Sequence, residues 1–503
     1  MKNKTPSYPP VRGRLVTFFG LRFPNCVSAI FHFSLFTKRK VTPILHSSFF
    51  TLHFSITMLP KDFTDYTSKL FGKERWERYL ASFEGNVPVS VRYNPFKKRE
   101  DDESLAISEP IPWCRNAFYL SERPDFTLDP LLHAGVYYVQ EAGSMFLDEV
   151  IRQLAPDYLP EKGVALDLCA APGGKSTLLR AALPEGYMLY SNEPDRRRAN
   201  ILMENIQKQG HPKVVVTNNY AIDYQRSGML FDFILCDVPC SGEGMFRKDS
   251  GAIGEWSMQN VMKCTALQCS IIEDIWPCLA PNGILVYSTC TFNTHEDEEN
   301  VLWICEKFGA ELLPIKIEDE WNITGSLLPE WQQQPVYRFI PGVTRGEGLF
   351  MAVLRKNGDD VVKTKPKGCL RIMCDGHYEA VQRTRPNAKA EQRKEKYSSS
   401  KEKNGNAKEK TGNAKCNKAP QLVPAHAEAL LITTPEDKYP RAELTLEDAL
   451  RYLHHEAIVL DSSVPRGYVV VCYHGHPLGF VKNIGNRANN LYPQEWKIRK
   501  DLG

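Results

Sequence analysis

Between residues 164 and 287 the chain alternates short, continuously apolar runs with longer stretches in which apolar residues recur every three or four positions. The runs at 164–168, 187–191, 214–217, 231–236 and 283–287 read as strands, and the stretches at 176–182 and 196–209 read as helices between them. Strands apolar on both faces belong to a parallel sheet covered by helices on each side. Loops leaving the carboxyl ends of such strands are where ligands bind. Upstream, the spacing of Phe63, Tyr66, Leu70, Trp76 and Leu80 suits short amphipathic helices, and 87–93 alternates like a strand, so a small mixed α/β module is expected there. Near the C-terminus a helix is expected at 446–453, with strands at 467–473 and 478–481. No internal repeat is found.

Composition sets limits more than direction. Hydrophobic residues make up 42% and charged residues 24%, as in an ordinary globular chain, and a formal charge of +3 is too small to name a polyanionic partner. At 503 residues several domains are expected, because one core rarely serves so long a chain. The 14 cysteines are scattered, without a CxxC pair or a Cys/His cluster at zinc spacing. Free thiols, a reducing cytoplasmic setting and no bound metal are therefore expected. Residues 1–57 carry no Asp or Glu, and Arg12, Arg14, Arg22, Lys38, Arg39 and Lys40 interrupt Phe-rich stretches. Such a start has the charge of an organelle-targeting peptide, but its apolar runs are too broken for a membrane span. The favoured reading is translation assigned too far upstream, with the working protein beginning at Met58, or else a disordered extension. Across 383–418, lysines and arginines sit among Asn, Ser, Gly and Ala with almost no apolar residues, a composition that cannot bury enough surface to fold. A basic linker over 357–420 is expected, either a solvated spacer or a non-specific contact to phosphates.

The first strand of the alternating region runs into Leu168-Cys169-Ala170-Ala171-Pro172-Gly173-Gly174-Lys175-Ser176, a tight turn that opens a helix. Backbone amides there suit a nucleotide-like ligand, and the glycines let the main chain approach it. Gly174-Lys175-Ser176-Thr177 resembles the end of a phosphate-binding loop, but Cys169 stands where that loop requires glycine, which argues against an NTPase. Glu193, ending the second strand, is placed to accept both ribose hydroxyls of an adenosine cofactor, with a surface carboxylate as the alternative. Asn218-Asn219-Tyr220, after the third strand, is the expected adenine-contact region.

The fourth strand ends in Cys236-Asp237-Val238-Pro239-Cys240 and the fifth in Ser288-Thr289-Cys290-Thr291, which brings two cysteines to one sheet edge. A thiol pair there suits covalent catalysis on a pyrimidine. Carbon 5 of cytosine is a poor nucleophile until a thiolate adds at carbon 6 and leaves an enamine. Asp237 can hydrogen-bond the base and stabilise the charge that develops on it, or merely cap the turn. Lys175 can hold one cysteine as thiolate or position Asp237. The residues leave open which cysteine attacks and which assists elimination. Thr294-His295-Glu296-Asp297 reads as a capping box for the next helix, so His295 and the acids after it are assigned no catalysis.

These motifs, in this order, resemble the Sun/Nop-type RNA cytosine-5 methyltransferases, and the bacterial RsmF-like branch in particular. The likeness runs nearly continuously over residues 58–356, through Tyr137-Tyr138-Val139-Gln140-Glu141-Ala142, the loop from Cys169 to Lys175, Asp237 to Cys240, Gly242 to Lys248, Ser288 to Phe292 and Gly346-Glu347-Gly348. It implies a small N-terminal α/β RNA-contacting module at 58–135 and an α/β, Rossmann-like S-adenosylmethionine-dependent methyltransferase core at 136–356. More loosely, it implies a C-terminal PUA-like, β-rich RNA-binding domain at 421–503. By the same resemblance, S-adenosylmethionine is held by Cys169, Ala170, Ala171, Pro172, Gly173, Gly174, Lys175, Glu193, Asn219 and Asp237. Cys290 then attacks the base and Cys240 aids release, with Asp237 and Lys175 completing the catalytic set. Three positions depart from the family pattern: Val238 replaces alanine, Asn219 stands where many relatives carry an adenine-contacting aspartate, and Gly342 replaces a histidine. The expected product is 5-methylcytosine in ribosomal RNA, with the 16S molecule of the small subunit favoured over transfer RNA, and the expected enzyme is a monomer without a membrane anchor. A catalytically silent RNA-binding assembly factor is the rival reading, and retention of both cysteines and Asp237 argues against it.

Overall fold

The computed structural model describes residues 59–97, 105–358, 366–374 and 423–500; the N-terminal extension and most of the Lys-rich linker lie outside them. Helix α1 (Lys61–Ala81) is two short helices joined at Gly72, where a φ of +71° breaks the hydrogen-bond ladder at a residue without a Cβ. Strands β1 (Val89–Tyr93), β2 (Ile107–Pro110) and β3 (Ala117–Leu120), the short helix α2 (Pro130–His133) and strand β4 (Tyr137–Val139) follow. The four strands form an antiparallel sheet in the order β2-β3-β1-β4. Strand β1 was expected to alternate, yet Ser90 and Arg92 are buried along with Val91 and Tyr93. Its polar face is covered by the next layer: Arg92 donates to the Gln140 amide oxygen at 3.0 Å and to the Thr177 hydroxyl at 2.7 Å.

Beyond helix α3 (Leu147–Tyr158) comes the central sheet. It contains β5 (Val164–Asp167), β6 (Met188–Asn192), β7 (Val214–Thr217), β8 (Phe231–Asp237) and β9 (Leu279–Thr289), all parallel, in the order β9-β8-β5-β6-β7. Alternate side chains of these strands feed two cores. Ala165, Leu189, Val214, Phe233 and Val286 pack with α3, α4 (Gly174–Ala182) and α5 (Arg196–Gln209). Leu166, Phe231, Ile234, Leu285 and Tyr287 pack with α6 (Ala221–Ser227), α7 (Met258–Ile275) and α8 (Glu298–Phe308). Burial on both faces is what made the strand runs continuously apolar. Because β5 neighbours both β6 and β8, the chain reverses its direction of winding there and opens a crevice at the carboxyl ends of β5 and β8.

The sheet is not purely parallel. Strand β12 (Leu349–Arg355) lies antiparallel against β9, with β10 (Glu311–Leu312) and β11 (Val336–Phe339) paired to it. At the opposite edge β13 (Ile372–Cys374), inside the stretch expected to be linker, runs antiparallel along β7. Both additions cover sheet edges that would otherwise present unpaired amides.

The C-terminal part comprises α9 (His426–Leu430), β14 (Arg441–Glu443), α10 (Leu446–Leu453), β15 (Gly467–Tyr473), β16 (His476–Asn483) and β17 (Ala488–Asn490). Its strands pair in the order β14-β15-β16-β17. Leu453, Val469, Val481 and Trp496 share one apolar core with Val91, Tyr93, Leu120 and Leu131 of the N-terminal module. The end of α5 joins them, through the Ile432 amide donating to Gly210 at 2.9 Å and Lys208 lying 5.5 Å from the Trp496 ring centroid.

Behind the loop that follows β9, the fully buried Arg338 on β11 pairs with Asp297 at 2.7 Å and Glu298 at 2.6 Å and donates to the Phe292 carbonyl at 2.7 Å. Removing the guanidinium strands two buried carboxylates. Arg338→Met is expected to lower unfolding free energy by roughly 3–5 kcal/mol, measured by urea denaturation; a loss below about 1 kcal/mol, the scale of an exposed pair, would contradict this reading.

Candidate active site

The turn between β5 and α4 holds its shape through glycine and through α5. Gly173 has a φ of +116°, a backbone conformation that favours glycine, and a Cβ there would also press on Asn205 and Leu202 at 3.3 Å. The helix begins at Gly174, earlier than the apolar pattern indicated. Arg198 donates to the Ala171 carbonyl at 2.9 Å and Asn205 to the Pro172 carbonyl at 2.8 Å, which hangs the loop from α5. Glu193, immediately after β6, is almost fully buried. One carboxylate oxygen accepts the Asp195 amide at 3.0 Å, and the other faces Arg198 at 3.3 Å without a hydrogen-bond donor. Burial raises its pKa, with Arg198 opposing. A carboxylate at this strand end, beside a glycine-rich turn, is chemically suited to accept the hydroxyls of an adenosine cofactor.

Asn219, the expected adenine-contact residue, is held by a segment from beyond the core. Its amide donates to the Arg371 carbonyl at 3.1 Å and accepts the Arg371 amide at 2.8 Å, while the Arg371 guanidinium donates to Asn218 at 3.0 Å. The segment that carries β13 therefore fastens the loop after β7, and both ends of the Asn219 amide are taken. The next residue, Tyr220, is 70% exposed at the same edge.

Strands β8 and β9 pair in parallel with Asp237 opposite Ser288, so the loops that follow leave the sheet side by side. The Sγ atoms of Cys240 and Cys290 lie 3.0 Å apart, and the Cys290 amide points at the Cys240 sulfur at 3.4 Å. Asp237 accepts the Ser288 hydroxyl at 2.6 Å on one oxygen and pairs with Lys175 at 2.9 Å through the other. With its side chain 31% exposed, it still presents acceptor capacity to the cleft. Burial disfavours the Lys175 charge, but Asp237 outweighs it and Cys290 adds to the effect, so its pKa is raised. The contact with Cys290, followed by burial, pushes the Cys240 thiol well above its ordinary range. Four residues singled out in the sequence, Lys175, Asp237, Cys240 and Cys290, thus meet at one point. Of the two roles open to Lys175, the geometry favours holding Asp237.

Three family models match consecutive parts of the chain: the N-terminal domain of 16S rRNA methyltransferase RsmF over residues 59–142, 16S rRNA methyltransferase RsmB/F over 154–355, and the methyltransferase RsmF PUA domain over 439–498. The chain belongs to the RsmB/F methyltransferase family, in its RsmF branch. Among its relatives, the ribosomal RNA small subunit methyltransferase F of Enterobacter sp. (strain 638) is 28% identical over 84% of this chain and 92% of that protein. The protein of the same name from Aeromonas salmonicida (strain A449) is 32% identical over 60% of this chain and 64% of its own length. A solved methyltransferase homolog protein from Pyrococcus horikoshii superposes with a TM-score of 0.51 at 28% identity, covering 62% of this chain and all of that one. NSun6 from the same organism, solved with SFG, gives 0.50 at 21% identity, over 60% of this chain and 99% of that one. The Rossmann-like core, the N-terminal module and the C-terminal PUA domain expected from sequence are those of the RsmF branch.

Within this RsmF fold the expected capping box does not form. Helix α8 starts at Glu298, its cap Asp297 makes no side-chain cap bond, and the Thr294 hydroxyl donates to the Glu299 carboxylate. Glu296 and Asp297 are instead buried beneath the cysteine loops, where Asp297 meets Arg338. Local spacing imitated a cap because Thr294 and Asp297 stand at the separation a capping box uses. Ser288, Glu243, Gln268 and Arg371 also went unrecognised: only their approach from distant elements makes them part of the site. Among the described residues no helix is long and apolar enough to cross a membrane, and no group of three or more potential metal ligands occurs.

At the end of β5, fully buried Asp167 accepts the Ser176 hydroxyl at 2.6 Å on one oxygen, while the other has no partner. Burial pushes its pKa up to about 7, with the Ser176 bond opposing and Asp237 reinforcing. A carboxyl raised in the native state takes up a proton on folding, so its stabilising contribution is full below the unfolded value and is lost as pH rises through 7. Asp167→Asn should therefore gain about 2–3 kcal/mol on the parent between pH 5 and pH 8, read from urea denaturation at both; an unchanged gap would refute the assignment.

Proposed function

We propose that this protein is an S-adenosylmethionine-dependent RNA methyltransferase that forms 5-methylcytosine in 16S ribosomal RNA, working as a monomer in the cytoplasm. The observation that carries the reading is the pair of thiols 3.0 Å apart beside the Lys175–Asp237 ion pair, on the fold of the RsmF branch. The choice of RNA follows the relatives, which are named for the small ribosomal subunit. The target base must be exposed in a loop or flipped out, since a stacked cytosine is beyond reach of Cys290.

The turn from Cys169 through Ala170, Ala171, Pro172, Gly173 and Gly174 cradles the cofactor with its main chain, Glu193 accepts the ribose hydroxyls, and Asn219 borders the adenine end. Bound S-adenosylmethionine supplies the methyl group that carbon 5 receives. Cys290 adds as thiolate to carbon 6, which moves electron density to carbon 5. Asp237, kept in place by Lys175 and Ser288, hydrogen-bonds the polar edge of the base and steadies the charge that forms there. After the carbon 5 proton is lost to water, the carbon–sulfur bond breaks and its electron pair returns to Cys290. Cys240, held as a thiol by its contact with Cys290 and by burial, donates its proton to the departing sulfur.

Methylation of purified 16S ribosomal RNA with labelled cofactor tests this. Cys290→Ala is expected to lose at least roughly 10³-fold in activity, whereas Cys240→Ala should accumulate a covalent protein–RNA adduct that survives denaturing electrophoresis. A fully active Cys290→Ala protein would end the covalent assignment, and methylation of transfer RNA in place of 16S RNA would redirect the substrate.

A further inference from the structure

The two cysteine loops are tied together from below by two buried carboxylates in a reciprocal arrangement. Glu243 follows Cys240 on the loop leaving β8, yet its carboxylate grips the other loop. It accepts the main-chain amides of Phe292 and Asn293, the latter at 3.0 Å, together with the Asn293 side chain and Trp256 Nε1, each at 3.0 Å. Glu296 follows Cys290 on the loop leaving β9, and it grips the Cys240 loop. It accepts the Ser241 amide at 3.0 Å, the Ser241 hydroxyl, the Gln268 amide at 2.8 Å and the Asn293 amide at 2.9 Å. Gln268 also donates to the Pro239 carbonyl at 2.9 Å, directly beside Cys240. The Asn293 side chain bridges the two acids.

Every group around these carboxylates is a donor, so each position calls for an acceptor on both oxygens. An amide would set one N–H against others. Both acids are buried to within 1% and, among the described residues, neither has an ion-pair partner. Burial and the neighbouring Glu243 charge push Glu296 up to about 7 against the pull of its donors. Keeping two uncompensated acids side by side costs stability. Neutral side chains would close two loops more cheaply; these carboxylates instead fix where each loop stands relative to the other.

We propose that Glu243 and Glu296 are positioning residues that set the placement of the two thiols, Glu243 holding the Cys290 loop for attack and Glu296 holding the Cys240 loop for release. The assignment of attack and release rests on the function proposed above; the clamp itself does not.

The test uses the full chain with Glu243→Gln, Glu296→Gln and the milder Ser241→Ala, each checked for folding by circular dichroism. Two readouts are taken: methylation turnover alongside the fraction of enzyme trapped as RNA adduct, and, without RNA, the rate at which diamide converts Cys240 and Cys290 to a disulfide, followed by peptide mass spectrometry. Glu296→Gln should lose roughly 10- to 100-fold in turnover while its trapped adduct rises. Glu243→Gln should lose turnover and adduct together. Ser241→Ala should follow Glu296→Gln to a smaller degree and decides the matter where a glutamine variant does not fold. Disulfide formation should slow by about tenfold or more in both glutamine variants. Unchanged disulfide rates, with turnover and adduct falling in parallel in every variant, would overturn the proposal. Were no adduct to form even in Cys240→Ala, the covalent function would fail instead, and the disulfide rates would still decide whether the clamp exists.

Discussion

The parallel pairing of β8 with β9 places Asp237 opposite Ser288, and the rest of the site is built on that register. Parallel strands end on the same side, so the loops that follow emerge together and bring Cys240 within 3.0 Å of Cys290. A slip of one residue would turn Asp237 away from the cleft and send its neighbours to the opposite core, which fully buried strands cannot accommodate. The apolar residues of β8 and β9 thus do more than fill space. Their fit into two cores on opposite faces pins the register, and the register aims the polar residues at the ends.

Around this axis the polar contacts are arranged in depth. Lys175 and Ser288 occupy Asp237 from two sides, leaving part of it open to the cleft. Below the cysteines lie Glu243, Glu296, Asn293 and Gln268, and below those the Arg338 pairs with Asp297 and Glu298. Ion pairs of this burial add little net stability over apolar packing, but breaking one is costly. Their use is geometric. They hold the two cysteine loops against β11 and α7, through Arg338 on the Phe292 carbonyl and Gln268 on the Pro239 carbonyl.

The N-terminal module and the PUA domain meet over a common apolar core, and Arg92 anchors the first of them to α4, the helix that carries Lys175. Together they form one continuous support at the side of the sheet where α5 also ends. The β13 segment adds a second link, since it joins the β7 edge to the loop containing Asn219. Both flanking regions therefore touch elements of the candidate site, Arg92 through the Thr177 hydroxyl on α4 and Arg371 through the Asn219 side chain.

Much of this was legible in the chain alone, for physical reasons. Strands buried on both faces must be continuously apolar, so the five parallel strands stood out together with α4 and α5, and with them the loops that carry Lys175, Glu193, Asp237, Cys240 and Cys290. A glycine turn at the start of a helix likewise has few local solutions. The edge strands β10 to β13 did not stand out, because they are held by neighbours distant in sequence more than by their own pattern. Glu296 read as part of a helix cap and proved to lie under the Cys240 loop; nothing local distinguishes an exposed capping acid from one buried by another loop. Asn219 stood at the expected position, but its amide belongs to Arg371, a partner supplied from beyond a change in composition that signalled a linker. Sequence determined which chemical groups are available and which strand ends carry them. Tertiary structure decided which of those groups face one another, because hydrogen-bond partners far apart along the chain leave no local trace.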